Sequence, residues 1–116
     1  MIHVQLRGLK GLRKRGKIVR RIEHAVASGL DRFKHTIREV RLSVVDVNGP
    51  RGGLDKMCRV MLRMKPAGML VATAHGTSPE HAATEALRRL NENIARTLSR
   101  RRKRFRRATM NIAHET

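Results

Sequence analysis

The chain has 116 residues, with 27 Lys and Arg against 9 Asp and Glu, a formal net charge of +18. That length supports one modest core and excludes two cores with a linker, so it implies a single domain with a basic tail. So large a one-sign charge repels itself unless a polyanion lies nearby, which points to nucleic acid as the partner.

An acidic membrane surface is the competing sink for the charge. No window offers an apolar run of about 18 residues, and residues 1–6 read as a strand rather than a leader. The expectation is therefore no membrane partner and a cytoplasmic protein. Cys58 is the only cysteine, so no internal disulfide can form, and it sits in an alternating apolar run as a core residue. His3, His24, His35, His75, His81 and His114 are scattered, which predicts no metal site.

In chain order, Ile2, Val4 and Leu6 alternate with His3 and Gln5, giving a half-buried strand that ends at Gly8. The period then lengthens. Leu12, Val19, Ile22, Val26, Leu30 and Phe33 recur at three- and four-residue steps, predicting a helix over about 10–30 laid on a sheet. Gly16 costs its first turns ~1 kcal/mol relative to Ala and sets its start later.

From Val40 the period returns to two, predicting a strand over about 40–47. Residues 48–53, Asn-Gly-Pro-Arg-Gly-Gly, form a hairpin tip, and 56–65 alternates again with Cys58, Val60, Leu62 and Met64 on one side. Pro66-Ala67-Gly68 makes a second tight connection into a strand over 69–74. Ser78-Pro79-Glu80 starts a helix, since the hydroxyl caps a free amide and Pro tolerates the first helical position. Its stripe of Ala83, Leu87, Leu90, Ile94 and Leu98 carries it to about Lys103. Beyond Phe105 the apolar pattern stops, and residues 100–107 hold seven bases in eight positions. A basic, disordered tail is expected over 105–116, leaving a domain over 1–104.

The fold class that follows is α+β, β-α-β-β-β-α, with a four-stranded mixed sheet and two helices packed on one face. A right-handed crossover makes the first two strands parallel, and two hairpins add antiparallel neighbours. The open face carries His3, Gln5, Arg41, Ser43, Arg59 and Arg63, too polar for a second core.

No enzyme signature emerges. There is no phosphate-cradling loop with its Lys and Ser or Thr, no nucleophile beside a His base, and no carboxylate pair at catalytic spacing. No cofactor and no small-molecule substrate is expected.

The bases are organised more sharply. Opposite the first helix's apolar stripe lie Arg13, Lys14, Lys17, Arg20, Arg21 and His24, and residues 7–21 hold eight bases and no acid. On the second helix Arg88, Arg89, Arg96, Arg100 and Lys103 lie off the stripe, interrupted by Glu85 and Glu92. Ordinary solvated faces mix both signs, so the ten Lys and Arg residues among these are the candidate RNA contacts. With Phe33 and Phe105 the only aromatics, stacking platforms for single strands are scarce, and contact falls on phosphates and shape.

The strand ending at Gly8, Leu30-Asp31-Arg32-Phe33 closing the basic helix, and the Ala/Leu helix running into Arg-rich sequence resemble one family. So does the run from Val40 through Asp46-Val47-Asn48-Gly49-Pro50-Arg51-Gly52-Gly53 to Lys56. It is the ribosome hibernation promoting factor and ribosome-associated inhibitor family, matched over about residues 2–104. The resemblance implies a short-type member, monomeric off the ribosome, that binds small-subunit ribosomal RNA near the decoding centre and silences ribosomes under stress or in stationary phase. It implies RNA contact by the basic positions of both helices. Two departures stand out: residues 76–81 lack the family's acidic and aromatic residues, and the run after Arg100 is more basic. A general RNA-binding regulator or chaperone, and a structural ribosomal protein, fit the same charge.

Overall fold

Alternating apolar residues build the sheet. A computed structural model describes residues 2–7, 15–47 and 55–115, with side chains through 110. The hairpin tip expected at 48–53 and the helix start expected at about residue 10 lie outside the described residues.

Strand β1 (Ile2–Arg7) leads to helix α1 (Arg15–Gly29), a short 3-10 helix (Asp31–Thr36) and β2 (Ile37–Asp46). Strands β3 (Lys56–Met64) and β4 (Met69–Gly76) follow, then helix α2 (Pro79–Glu115). The sheet order is β1-β2-β3-β4, with β1 parallel to β2 and both later pairs antiparallel. The expected α+β architecture is present.

One sheet face is the core. Val40, Leu42 and Val44, with Cys58, Val60, Leu62 and Met64, meet Ile22 and Val26 of α1 and Ala82, Ala83, Ala86, Leu87, Leu90 and Ile94 of α2. Alanines on α2 oppose Ala72 and Ala74 of β4, so helix and strand approach closely. Gly76 shows how closely: a Cβ there would lie 2.4 Å from the Ala82 nitrogen, so the crossing admits only glycine. The helix begins as its sequence predicts, with Ser78 Oγ accepting from the His81 amide at 3.1 Å.

Three local features depart from the sequence pattern. Phe33 belongs to the 3-10 helix rather than to α1, yet still reaches the core. Strand β2 starts at Ile37 instead of Val40, because a register shift between Ile37 and Glu39 breaks the alternation that marks a strand. Finally, α2 does not end near Lys103 but continues as helix to Glu115. No Gly or Pro interrupts this Arg- and Ala-rich stretch, so propensity carries the helix past its last apolar contact.

At the far end of the β2–β3 pair, the Lys56 ammonium lies 2.9 Å from buried Asp55 and 3.4 Å from Asp46. The Asp55 hydrogen bond leads the causes that raise the Lys56 pKa above its ordinary value. Asp55 also takes the Val47 amide through its carbonyl, at 2.8 Å, so this pair ties off the ladder next to the 48–54 segment.

Candidate nucleic-acid interface

The two helices lie side by side on the sheet, and a Cβ added at Gly29, the end of α1, would lie 4.0 Å from the Asn91 side chain of α2. Their apolar stripes point down, so their bases point out. Lys17, Arg20 and Arg21 are all exposed on α1, and Glu23 is the one acid of that helix. Arg20 returns its Nε to the Gly16 carbonyl at 3.2 Å, which leaves its terminal nitrogens facing solvent. Arg13 and Lys14 lie outside the described residues.

The bases of α2 divide by their partners. Arg88 bridges Glu85 at 3.3 Å and Glu92 at 2.9 Å, so its charge is offset on its own helix. Arg89 reaches across to donate to the Thr73 carbonyl of β4, an anchoring contact between helix and sheet. Arg96 donates to Asn93 at 3.1 Å, a neutral partner that leaves its charge uncompensated. Arg100 and Lys103 are exposed, without a hydrogen bond or ion pair to another described residue. Six of the sequence-selected bases therefore face outward with uncompensated charge: Lys17, Arg20, Arg21, Arg96, Arg100 and Lys103.

Sequence reasoning missed Arg101. Its guanidinium donates to the carbonyls of Lys65, at 3.0 Å, and Ala67, fastening the β3–β4 turn to α2. That turn contains Gly68 at φ +115°, a left-handed conformation that favours glycine. Nothing in a local pattern distinguishes Arg101 from its neighbours, because its partners lie more than thirty residues earlier.

The opposite sheet face is basic too, and part of its charge is offset internally. Glu39 faces Arg41, Arg63 and His3, and the Arg41 hydrogen bond holds its carboxyl below the ordinary value. A shallow hollow of about 420 Å³ opens there, lined by His3, Gln5, Arg7, Arg41, Ser43, Arg59 and Met61. Arg7 adds to the bases expected on this face, and donates to Gln5 at 2.9 Å.

Among the described residues, no group of three or more His, Cys, Asp or Glu could hold a metal ion. Cys58 is buried, and burial pushes its thiol up to about 12, which keeps it protonated and inert as a nucleophile. No helix among the described residues is long and apolar enough to cross a membrane.

The class defined so far is an α+β domain whose four-stranded sheet carries a basic double-helix layer on one face. Solved structures share this fold. A ribosomal subunit interface protein from Coxiella burnetii superposes with a TM-score of 0.61 at 13% identity, covering 84% of this chain and 97% of that one. The N-terminal domain of Protein Y from Thermus thermophilus gives 0.62 at 18% identity, covering 83% and 97% respectively. No family model and no curated protein matches the sequence.

Proposed function

We propose that this chain is a non-enzymatic, ribosome-associated translation inhibitor of the short hibernation-factor type. It binds small-subunit ribosomal RNA near the decoding centre and silences ribosomes under stress or in stationary phase. The observation that carries the reading is the helical layer, where Lys17, Arg20, Arg21, Arg100 and Lys103 face outward with uncompensated charge. Supporting it are the sequence resemblance over residues 2–104 and a fold shared with a ribosomal subunit interface protein and a Protein Y domain.

Outward bases of this kind meet phosphates, which position a protein on folded RNA without reading its sequence. The domain 1–104 supplies this surface. In the proposal Arg13, Lys14, Lys17, Arg20, Arg21, Arg96, Arg100 and Lys103 make the contacts. Arg88 and Arg89 contribute less, because each already holds a partner within the chain. No metal or cofactor takes part, and the protein is cytoplasmic and monomeric off the ribosome.

The test is a sucrose gradient of growing and starved cells, probed for this protein, with a cell-free translation assay beside it. Co-sedimentation with small subunits and idle ribosomes, and inhibition that falls when initiation complexes are assembled first, are expected. Recovery only in the ribosome-free fraction at near-physiological salt contradicts the proposal. Equal stoichiometry on every ribosome in both growth phases instead identifies a structural ribosomal protein.

A further inference from the structure

The hollow on the open sheet face has a simple origin in the register. Ser43 stands between Gln5 of β1 and Arg59 of β3, with Arg41 two residues away on its own strand. Opposed side chains on one sheet face lie ~5 Å apart, so a short serine among long neighbours leaves a well with tall walls. Its volume is about 420 Å³, and Arg7, Arg41 and Arg59 all line it. Three guanidinium groups around one well repel one another unless an anion joins them.

The three arginines differ in what they already hold. Arg41 is fixed by Glu39 through its Nε, which leaves its flat face and terminal nitrogens open. Arg7 donates only to the neutral Gln5 side chain, at 2.9 Å. Arg59 makes no hydrogen bond or ion pair with another described residue. Uncompensated charge therefore concentrates at the Arg7 and Arg59 end, while the one carboxylate, Glu39, stands at the Arg41 end.

That polarity describes a ligand. Guanidinium forks at one end suit phosphate oxygens, which they bind bidentately. At the other end the held Arg41 lies directly across the β2–β3 ladder from half-buried Met61, and a guanidinium plane with a thioether beside it suits a flat heterocycle. The volume far exceeds one phosphate and falls in the usual range of small-molecule sites, roughly 300 to 1,000 Å³. A continuous nucleic-acid strand needs a basic track that follows its backbone. Here the basic area is an island: Glu39 closes one end, half-buried Val45 and Met57 the other, and exposed Met69 and Val71 the β4 side.

The geometry points to this hollow as a binding site for a free nucleoside diphosphate. Its phosphates meet Arg7 and Arg59 beside the Ser43 hydroxyl, and its base lies against Arg41 and Met61. The site goes beyond the proposed function. It lies on the sheet face opposite the helical layer, so nucleotide and RNA are held at once.

The test titrates adenosine diphosphate into the full chain at near-physiological salt, followed by calorimetry and amide chemical shifts. Saturable binding of one nucleotide per chain is expected, with the largest shifts at Gln5, Ser43 and Arg59. Adenosine and inorganic phosphate should each bind about tenfold or more weakly, since each keeps only one half of the contacts. Arg59→Gln removes a charged partner of the phosphates and should weaken the diphosphate by about tenfold or more. Ser43→Leu fills the well and should abolish binding, with circular dichroism checking that both variants fold. Replacing Lys17, Arg20 and Arg21 by Ala should leave nucleotide affinity unchanged. Absence of saturable binding, inorganic phosphate as tight as the diphosphate, or a loss that follows the helix triple instead of Arg59→Gln overturns the inference. A single-stranded RNA hexamer that binds at the same amides more tightly than the nucleotide also overturns it, and would make the sheet an RNA surface.

Discussion

The two halves of α2 share a helix and a charge sign but are held by different forces. From Pro79 to Arg101 the helix is fixed by burial: Ala82, Ala83, Ala86, Leu87, Leu90 and Ile94 cover the sheet, and Arg89 and Arg101 grip strand and turn carbonyls. From Arg102 on, no side chain through 110 is buried, and only propensity acts against mutual repulsion. Similar sequence therefore yields a rigid floor in one half and an electrostatically responsive rod in the other. Arg charges in the first half are partly consumed by structure, whereas in the second they remain available.

The sharpest way to break this contrast is to remove buried volume. Leu90→Ala should destabilise the fold by about 2 to 5 kcal/mol in chemical denaturation, and Phe105→Ala by no more than about 0.5. Comparable losses from the two substitutions would mean that the far end packs after all. Next in size, Arg101→Ala removes two charge-assisted hydrogen bonds from a half-exposed site and should cost ~1 kcal/mol. Amide exchange should accelerate in the β3–β4 turn, with α1 unaffected.

Cys58 tests the floor through its chemistry. Alkylation at pH 8 should proceed no faster than global unfolding, because the buried thiol stays protonated. Its folded pKa lies above the ordinary value, so the stabilisation it carries is complete below pH 9.0 and is lost as pH rises toward about 12. Rapid labelling of the native protein would place the thiol outside the core. The smallest effect concerns salt alone. Raising ionic strength screens the bases of 102–107 and should increase helicity there, read by NMR chemical shifts, with no change over 79–101.

Much of the fold was legible because period-two alternation survives wherever one sheet face is buried. Val40 to Val44 and Cys58 to Met64 announce their strands, and Ser78-Pro79 announces α2 at the residue where it starts. Legibility failed where physics is not local. The register shift at Ile37 and Glu39 disguises the start of β2, and Phe33 continues the α1 stripe although it stands in a separate 3-10 helix. The end of α2 was misplaced because loss of an apolar stripe signals loss of packing, which is not loss of helix. Of the candidate site, the outward direction of Lys17, Arg20, Arg21, Arg100 and Lys103 followed from helical spacing. The anchoring of Arg89 and Arg101 did not, since each pairs with a backbone carbonyl far away in sequence.

The central claim is that the helical layer, and not the open sheet, faces RNA. The salt dependence of binding to small ribosomal subunits tests it directly, comparing Lys17→Ala, Arg20→Ala and Arg21→Ala together with Arg41→Ala, Arg59→Ala and Arg63→Ala together. Both triples remove three exposed bases, and neither touches the core. The helix triple should flatten the slope of log K against log salt by about 2 to 3 units, and the sheet triple by less, since Arg41 and Arg63 already share Glu39. A sheet triple that flattens the slope more than the helix triple would contradict the account and assign the RNA surface to the open sheet.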